Sequence, residues 1–285
     1  MRIRSITALN LMLLYGTTAS PALADEALPD YLHDRGDGVT TSLFGTYVRG
    51  GEWLVYPFYE YVRDHEEYTG EDLGISDDDE DYIGRLDIHQ ALLWVSYGIT
   101  DDIAVELEPV VYEKHILHQA ANDTSSGIAG HFDESQTFLS LEGRVIWRAL
   151  RETATRPEVY TFLEVDHPLR KEGVLVGNPD WEGGLGIGFV KGFSWGTVTP
   201  RFSLNYDHET DRLDIGEWAV EYLKRIDDSW RIVATIEGDS DQEIAVIGEI
   251  QWHFGHSAYL KLNNGFGVHG SAPSIAPEIG IMFSF

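Results

Sequence analysis

The chain has no cysteine in its 285 residues. It therefore holds no disulfide, no Cys-based zinc site and no thiol nucleophile, and its stability rests on backbone pairing and packing. Basic residues are scarce as well: 20 Lys+Arg against 48 Asp+Glu give a formal charge of −28. That balance excludes nucleic-acid binding by counterion release. It suits divalent cations or cationic solutes, and equally the solubility and mutual repulsion of exposed loops. After the first residues no apolar run is long enough to cross a bilayer as a helix, and the mean hydropathy is −0.21. A low average also describes a membrane barrel, because only alternate residues of each strand face lipid.

What is present begins with Arg2 and Arg4, an apolar stretch from Ile6 to Tyr15, and Pro21-Ala22-Leu23-Ala24. This is the pattern of a secretory signal peptide cleaved after Ala24; the apolar run falls short of the ~20 residues of a spanning helix. Cleavage removes two arginines and no acid, so the exported chain is more acidic still. The expected organisation is a signal peptide over 1–24, an N-terminal segment over 25–50 that forms a periplasmic plug or a tail, and a barrel over 51–285.

From Glu52 onward the chain breaks into twelve alternating segments. In the clearest, Ile244, Val246, Gly248, Ile250, Trp252 and Phe254 share a face without a charge, opposite Glu243, Glu249, Gln251 and His253. Segments around Leu260, Ile281, Ile232, Val220, Leu204, Ile187, Val145 and Val105 repeat the pattern. Three segments are less clean: Glu52–Val62, Val159–His167, and Arg85–Tyr97, where Leu86, Ile88, Leu92 and Trp94 are read as the apolar outward face. Prolines 57, 109, 200 and 277 fall on apolar faces and lack the N–H a ladder needs, which predicts pairing defects there. Long connections at about 63–81, 114–132, 168–180 and 266–273 alternate with brief ones such as Ile99–Asp102 and Asp227–Ser229. The fold expected is therefore an all-β, transmembrane, antiparallel up-and-down barrel of about twelve strands, with ten or fourteen as alternatives.

Aromatics gather beside the short turns: Trp94, Tyr97, Trp147, Phe193, Trp195, Trp230, Trp252, Phe254 and Phe285. They read as one interfacial girdle. The chain ends in Glu278-Ile279-Gly280-Ile281-Met282-Phe283-Ser284-Phe285. Glu278, Gly280, Phe283 and Phe285 resemble the C-terminal signal that outer-membrane barrels present to their assembly machinery, an unpaired edge strand ending in an aromatic anchor.

Two longer stretches carry a further resemblance: Gly45–Val48 with Gly51–Tyr61, and Trp147 through Arg151-Glu152 to Arg156-Pro157-Glu158. They are similar to a family of uncharacterised proteobacterial barrels close to the one named for the meta-pathway of phenol degradation, itself grouped with hydrophobic-compound transporters. The resemblance implies a transport or channel role and transfers no binding residue.

If the apolar faces meet lipid, the opposite faces line the lumen. They carry Glu60, Arg85, Asp87, Glu106, Glu108, Glu142, Arg144, Glu164, Arg201, Glu217, Glu221, Arg231, Glu237 and Glu249. Two readings follow: a ladder of ion pairs that fills a structural barrel, or a narrow cation-preferring passage for a small solute. A third, an outer-membrane lipid hydrolase, needs an outward Ser and His at one depth on adjacent strands. On this reading His89 and His253 point inward, His115, His118 and His131 lie in a loop, and no serine stands beside His167. The carboxylates of Asp77–Asp81 would suit calcium but lack the spaced ligands and glycine of an EF-hand loop. A solvated loop, or weak ion bridging to lipopolysaccharide, fits them better. No cofactor and no metal is expected, and the partners expected are outer-membrane lipid and lipopolysaccharide, the assembly machinery and a small solute.

Overall fold

The computed structural model describes residues 28–285 except 78, 125–127, 129, 171–172, 178–179, 209–210, 240–242, 256 and 271. Residues 1–24, where a signal peptide is expected, lie outside the described residues. No helix among them is long and apolar enough to cross a membrane.

The chain opens with a 3-10 turn, Asp30–Leu32, and a small hairpin of β1 (Val39–Thr40) and β2 (Tyr47–Val48). Thirteen strands follow: β3 (Trp53–Tyr68), β4 (Tyr82–Thr100), β5 (Ile103–His118), β6 (His131–Thr137), β7 (Ser140–Leu150), β8 (Glu158–Pro168) and β9 (Glu182–Phe193), then β10 (Gly196–Asp207), β11 (Arg212–Arg225), β12 (Trp230–Gly238), β13 (Ile244–His253), β14 (Ala258–His269) and β15 (Ala276–Ser284). Each pairs antiparallel with its neighbours, and β15 pairs with β3, Ile279 opposite Tyr59 and Phe283 opposite Val55. β6 and β7 are two halves of one staves-width strand, both paired to β5 and broken at Phe138, whose φ is +51°. The result is a closed barrel of twelve strands, which leaves no open sheet edge within the barrel wall.

The alternation in the sequence becomes an outward apolar surface. Leu163, Leu185, Phe202, Ile232, Ile250, Leu262 and Ile279 all project from the wall and stay exposed. A continuous belt of this kind is stable in lipid and not in water. At the end with the short turns it finishes in stacked rings: Phe193 on Trp195 at 4.9 Å, Trp230 on Trp252 at 6.1 Å and Trp53 on Tyr97 at 4.5 Å. Trp94 is not in this girdle; it is 1% exposed and points inward, and Trp53 takes the place expected for it.

Prolines mark interruptions in the ladder. Pairing of β3 with β15 lapses between Phe58 and Val55, around Pro57, and that of β10 with β9 lapses between Val198 and Arg201, around Pro200. On β5 an extra residue lies beside Pro109, because Ala91 pairs with Tyr112 and Leu92 with Val110. A second shift near Gly216 lets Ile215 and Trp218 both face out, so the apolar parity of β11 changes midway.

At the other end β3, β4, β5 and β6 run on as a paired sheet beyond the belt, through residues expected to be loop. Its inner side is covered by a cluster of Tyr68, Leu73, Tyr82, Leu86, Leu117, Ala120 and Ile128. His115, His118 and His131 thus lie on strands, correcting the loop expected there.

Candidate lumen site

Inside the barrel the wall is not uniformly polar. Tyr56 and Phe58 on β3 face Trp94 and Leu92 on β4 across the ladder, and all four point inward. They form one apolar cluster with Val39 and Val48 of the hairpin, Ile146, Tyr160, Phe162, Val190 and Met282. The parity of β4 is therefore opposite to the sequence expectation. Arg85 and Asp87 are on the outer face of the extension, as is His89, whose Nδ1 lies 2.6 Å from the Tyr59 hydroxyl. There Asp87 accepts from Tyr61 at 2.7 Å and pairs with Arg85 at 3.1 Å, Arg63 at 3.4 Å and His118 at 2.8 Å. The outward-apolar rule fails here because the N-terminal hairpin, and not water, covers the inner face of β3 and β4.

Across the lumen, Tyr160 and Phe162 on β8 lie over Gly188 and Gly186 on β9. A Cβ at either glycine would run into the ring beside it, so the glycines make room for the aromatics.

The remaining lumen candidates do face inward, and the N-terminal segment brings several of them together. Its root is an ion-pair knot near the short turns. Arg35, fully buried, donates from Nη2 to Glu158 at 2.9 Å and to Glu152 at 3.1 Å. Arg148 reaches Asp37 at 3.1 Å, the Gly38 carbonyl at 2.8 Å and Glu158 at 3.4 Å. Glu152 also takes Lys191 at 2.8 Å, and Asp34 takes Lys224 at 3.2 Å. Burial alone would lower the Arg35 pKa, but Glu158, Tyr47 and Glu152 together raise it. In the adjoining turn, hydrogen bonding from Arg151 holds the Asp102 carboxyl below its ordinary range.

The tip of the hairpin, residues 41–46, reaches into the centre. Glu106 accepts the Ser42 hydroxyl at 2.5 Å and its backbone N–H at 3.2 Å, while Trp94 donates to the same hydroxyl at 3.0 Å. Arg201 donates to the Ser42 carbonyl at 3.1 Å and stacks over Phe44 at 4.4 Å. Lys261 donates to the Phe44 carbonyl at 3.3 Å and pairs with Glu249 at 3.3 Å. Glu221 accepts the Gly45 N–H at 2.9 Å. Gly45 has φ +65°, and a side chain there would meet Val233 at 2.7 Å, so the turn requires glycine. Strands from all round the barrel thus hold one loop.

On the long-loop side of this loop is a cavity of 310 Å³, lined by Leu43 and Phe44 from the tip and by Glu60, Glu237, Glu249 and Glu278 from the wall. Glu278 accepts from Tyr56 at 2.5 Å. A smaller space beside it is lined by Glu108, Glu142, Arg144 and Arg201. Arg144 bridges Glu142, at 3.3 Å, and Glu164; Arg201 lies 3.6 Å from Glu217. Arg231 belongs to a different space, nearer the short turns. At the end of the chain, Gly280 is inward against the Tyr56 ring, and Phe283 and Phe285 are outward.

Sequence reading missed Tyr56, Trp94, Arg35 and Glu158 as lumen groups, whereas the alternation of β7 does turn Arg148 inward. The available signal was the hairpin-like Thr41–Tyr47 run, whose apolar residues need a partner. No group of three or more His, Asp or Glu set to hold a metal occurs among the described residues, and Asp78 of the acidic loop lies outside them. Among the described residues no serine hydroxyl hydrogen-bonds a histidine ring.

No family model and no curated protein matches the chain. Solved structures do. An outer membrane channel from Pseudomonas putida F1 superposes with a TM-score of 0.55 at 10% identity, over 87% of this chain and all of that one. The translocator domain of the autotransporter NalP from Neisseria meningitidis gives 0.48 at 8% identity, over 83% and 90% of the two chains. Outer membrane phospholipase A from Escherichia coli gives 0.44 at 11%, over 83% and 93%. What the first of these likenesses establishes is the fold: this chain is built as a barrel of the outer-membrane type.

Proposed function

We propose that the protein is a bacterial outer-membrane channel for a small solute, closed in the present arrangement by its N-terminal segment acting as a plug. The observation that carries the reading is the loop Ser42–Gly45, held by Glu106, Arg201, Lys261 and Glu221 from separate strands. A barrel whose only task is to stand in the membrane could fill its lumen with wall side chains alone, as eight-stranded barrels do. Here a separate segment does the filling, and polar bonds hold much of it. Lipid surrounds the apolar belt, the short turns face the periplasm, and the signal at Glu278, Gly280, Phe283 and Phe285 is read by the assembly machinery.

The solute enters from the long-loop side through the cavity lined by Glu60, Glu237, Glu249 and Glu278. That wall favours cations, since fixed carboxylates in a narrow passage lower the energy of positive charge along it. The resemblance to barrels named for the meta-pathway of phenol degradation supports a small organic solute. The ion pairs that line the lumen favour a second reading, a filled structural barrel.

Recordings of the folded protein in a planar bilayer separate the two. A channel gives brief, cation-selective openings that become longer in Glu106→Gln and Glu221→Gln, which weaken the hold on the loop. A bilayer that stays silent with the wild type and both variants would establish the filled barrel instead.

A further inference from the structure

Near the short turns, a second cavity of 140 Å³ separates the N-terminal segment from β12, β13 and β14. Arg35, Tyr47 and Arg49 line it from the segment, and Arg231, His253 and Tyr259 from the wall. In a chain of net charge −28 this is a concentration of the scarce sign.

Arg231 is the unusual member. It sits directly opposite Arg225 on the β11–β12 ladder. Among the described residues it makes no ion pair and no hydrogen bond, and its charged neighbours are Arg225 and Arg49. Arg35 is 3% exposed, yet its Nε and Nη1 have no hydrogen-bond partner. His253, stacked on Tyr259 at 4.4 Å, leaves Nε2 buried without a partner. The two carboxylates on the lining are already engaged. Asp37 pairs with Arg148 at 3.1 Å, and Glu52 accepts the Arg49 backbone N–H at 2.9 Å. The Arg49 guanidinium makes no ion pair among the described residues either, its Nε donating to the Asp37 carbonyl at 3.2 Å, so the three guanidiniums on the lining exceed its two carboxylates by one charge, and like charges opposite each other destabilise a sheet.

We propose that this cavity binds a small carboxylate monoanion. The planar Arg231 fork suits a carboxylate in bidentate fashion. A single negative charge completes the local balance. The space corresponds to roughly four or five water volumes, which limits the ligand to a short acid. Because the lining comes half from the segment and half from the wall, the bound anion ties the segment to β12 and β13. The site stands on its own geometry and is independent of whether the barrel conducts.

Isothermal titration of the folded protein in detergent with sodium acetate, at constant ionic strength in chloride, tests it. The expected result is one saturable site, weakened at least tenfold in Arg231→Gln and changed less than twofold in Arg212→Gln, which removes an exposed arginine far from the cavity. In chloride without acetate, Arg231→Met is expected to melt higher than the wild type, because it removes the unpaired charge facing Arg225 and Arg49. No saturable acetate binding, equal binding by Arg231→Gln, binding of inorganic phosphate in preference to acetate, or a lower melting temperature for Arg231→Met would each overturn the proposal.

Discussion

At the scale of single residues, the buried ion pairs at the root of the N-terminal segment set how firmly it is held. Arg35 satisfies Glu152 and Glu158 with one nitrogen, and each carboxylate has another cation, Lys191 or Arg148. Because each carboxylate keeps that second cation when Arg35 is removed, the cost falls below the about 3–5 kcal/mol of a wholly unpaired buried charge, but the segment loses its own link to the wall. Arg35→Met should therefore loosen the segment while the wall stays intact. Limited proteolysis should cut the variant within residues 28–50 much faster than the wild type, with the barrel still migrating as a folded, heat-modifiable species. Equal cleavage of the two would mean that the knot contributes little. Alternation turns Arg148 inward, but its partners were not legible in the sequence: Arg35 lies 117 and 123 positions from Glu152 and Glu158, and none of these three carries a periodic signal, so only the closed barrel brings them together.

At the scale of elements, alternation identified every wall strand within the apolar belt. The reason is physical: a strand between lipid and lumen must differ on its two faces. Where that contrast disappears, the reading failed. On β4 the inner face is apolar because the hairpin packs on it, so Leu92 and Trp94 were assigned to lipid and Arg85 and Asp87 to the lumen. Beyond the belt both faces of β3 are polar over Asp64-His65-Glu66-Glu67, and that part of the strand read as loop. On β9 the alternation was clear but assigned its inward glycines no task, whereas Gly186 and Gly188 are the floor on which Phe162 and Tyr160 lie. Gly186→Val should displace the Phe162 ring and disturb the β8–β9 pair; overpacking of this kind typically costs 1–3 kcal/mol. Its check is urea unfolding of the detergent-folded barrel, with Gly248→Val, on the open outer face, as the neutral comparison.

At the scale of the whole molecule, the proposed function takes the closed wall with its apolar outside, charged inside and internal segment as a pore with its stopper in place. Strand number and the acidic side chains turned inward were legible in the sequence, because each follows from local pattern. The choice between plug and tail for the N-terminal segment was not, because it depends on contacts with strands far along the chain, such as Phe44 with Lys261, 217 positions further on. The direct test is the conductance of a variant lacking residues 28–50, compared with the intact protein in the same planar bilayer. The account predicts long-lived, discrete, cation-selective steps from the shortened barrel and only brief openings from the intact one. A shortened barrel that is folded and heat-modifiable yet passes no more current than the intact protein would contradict it.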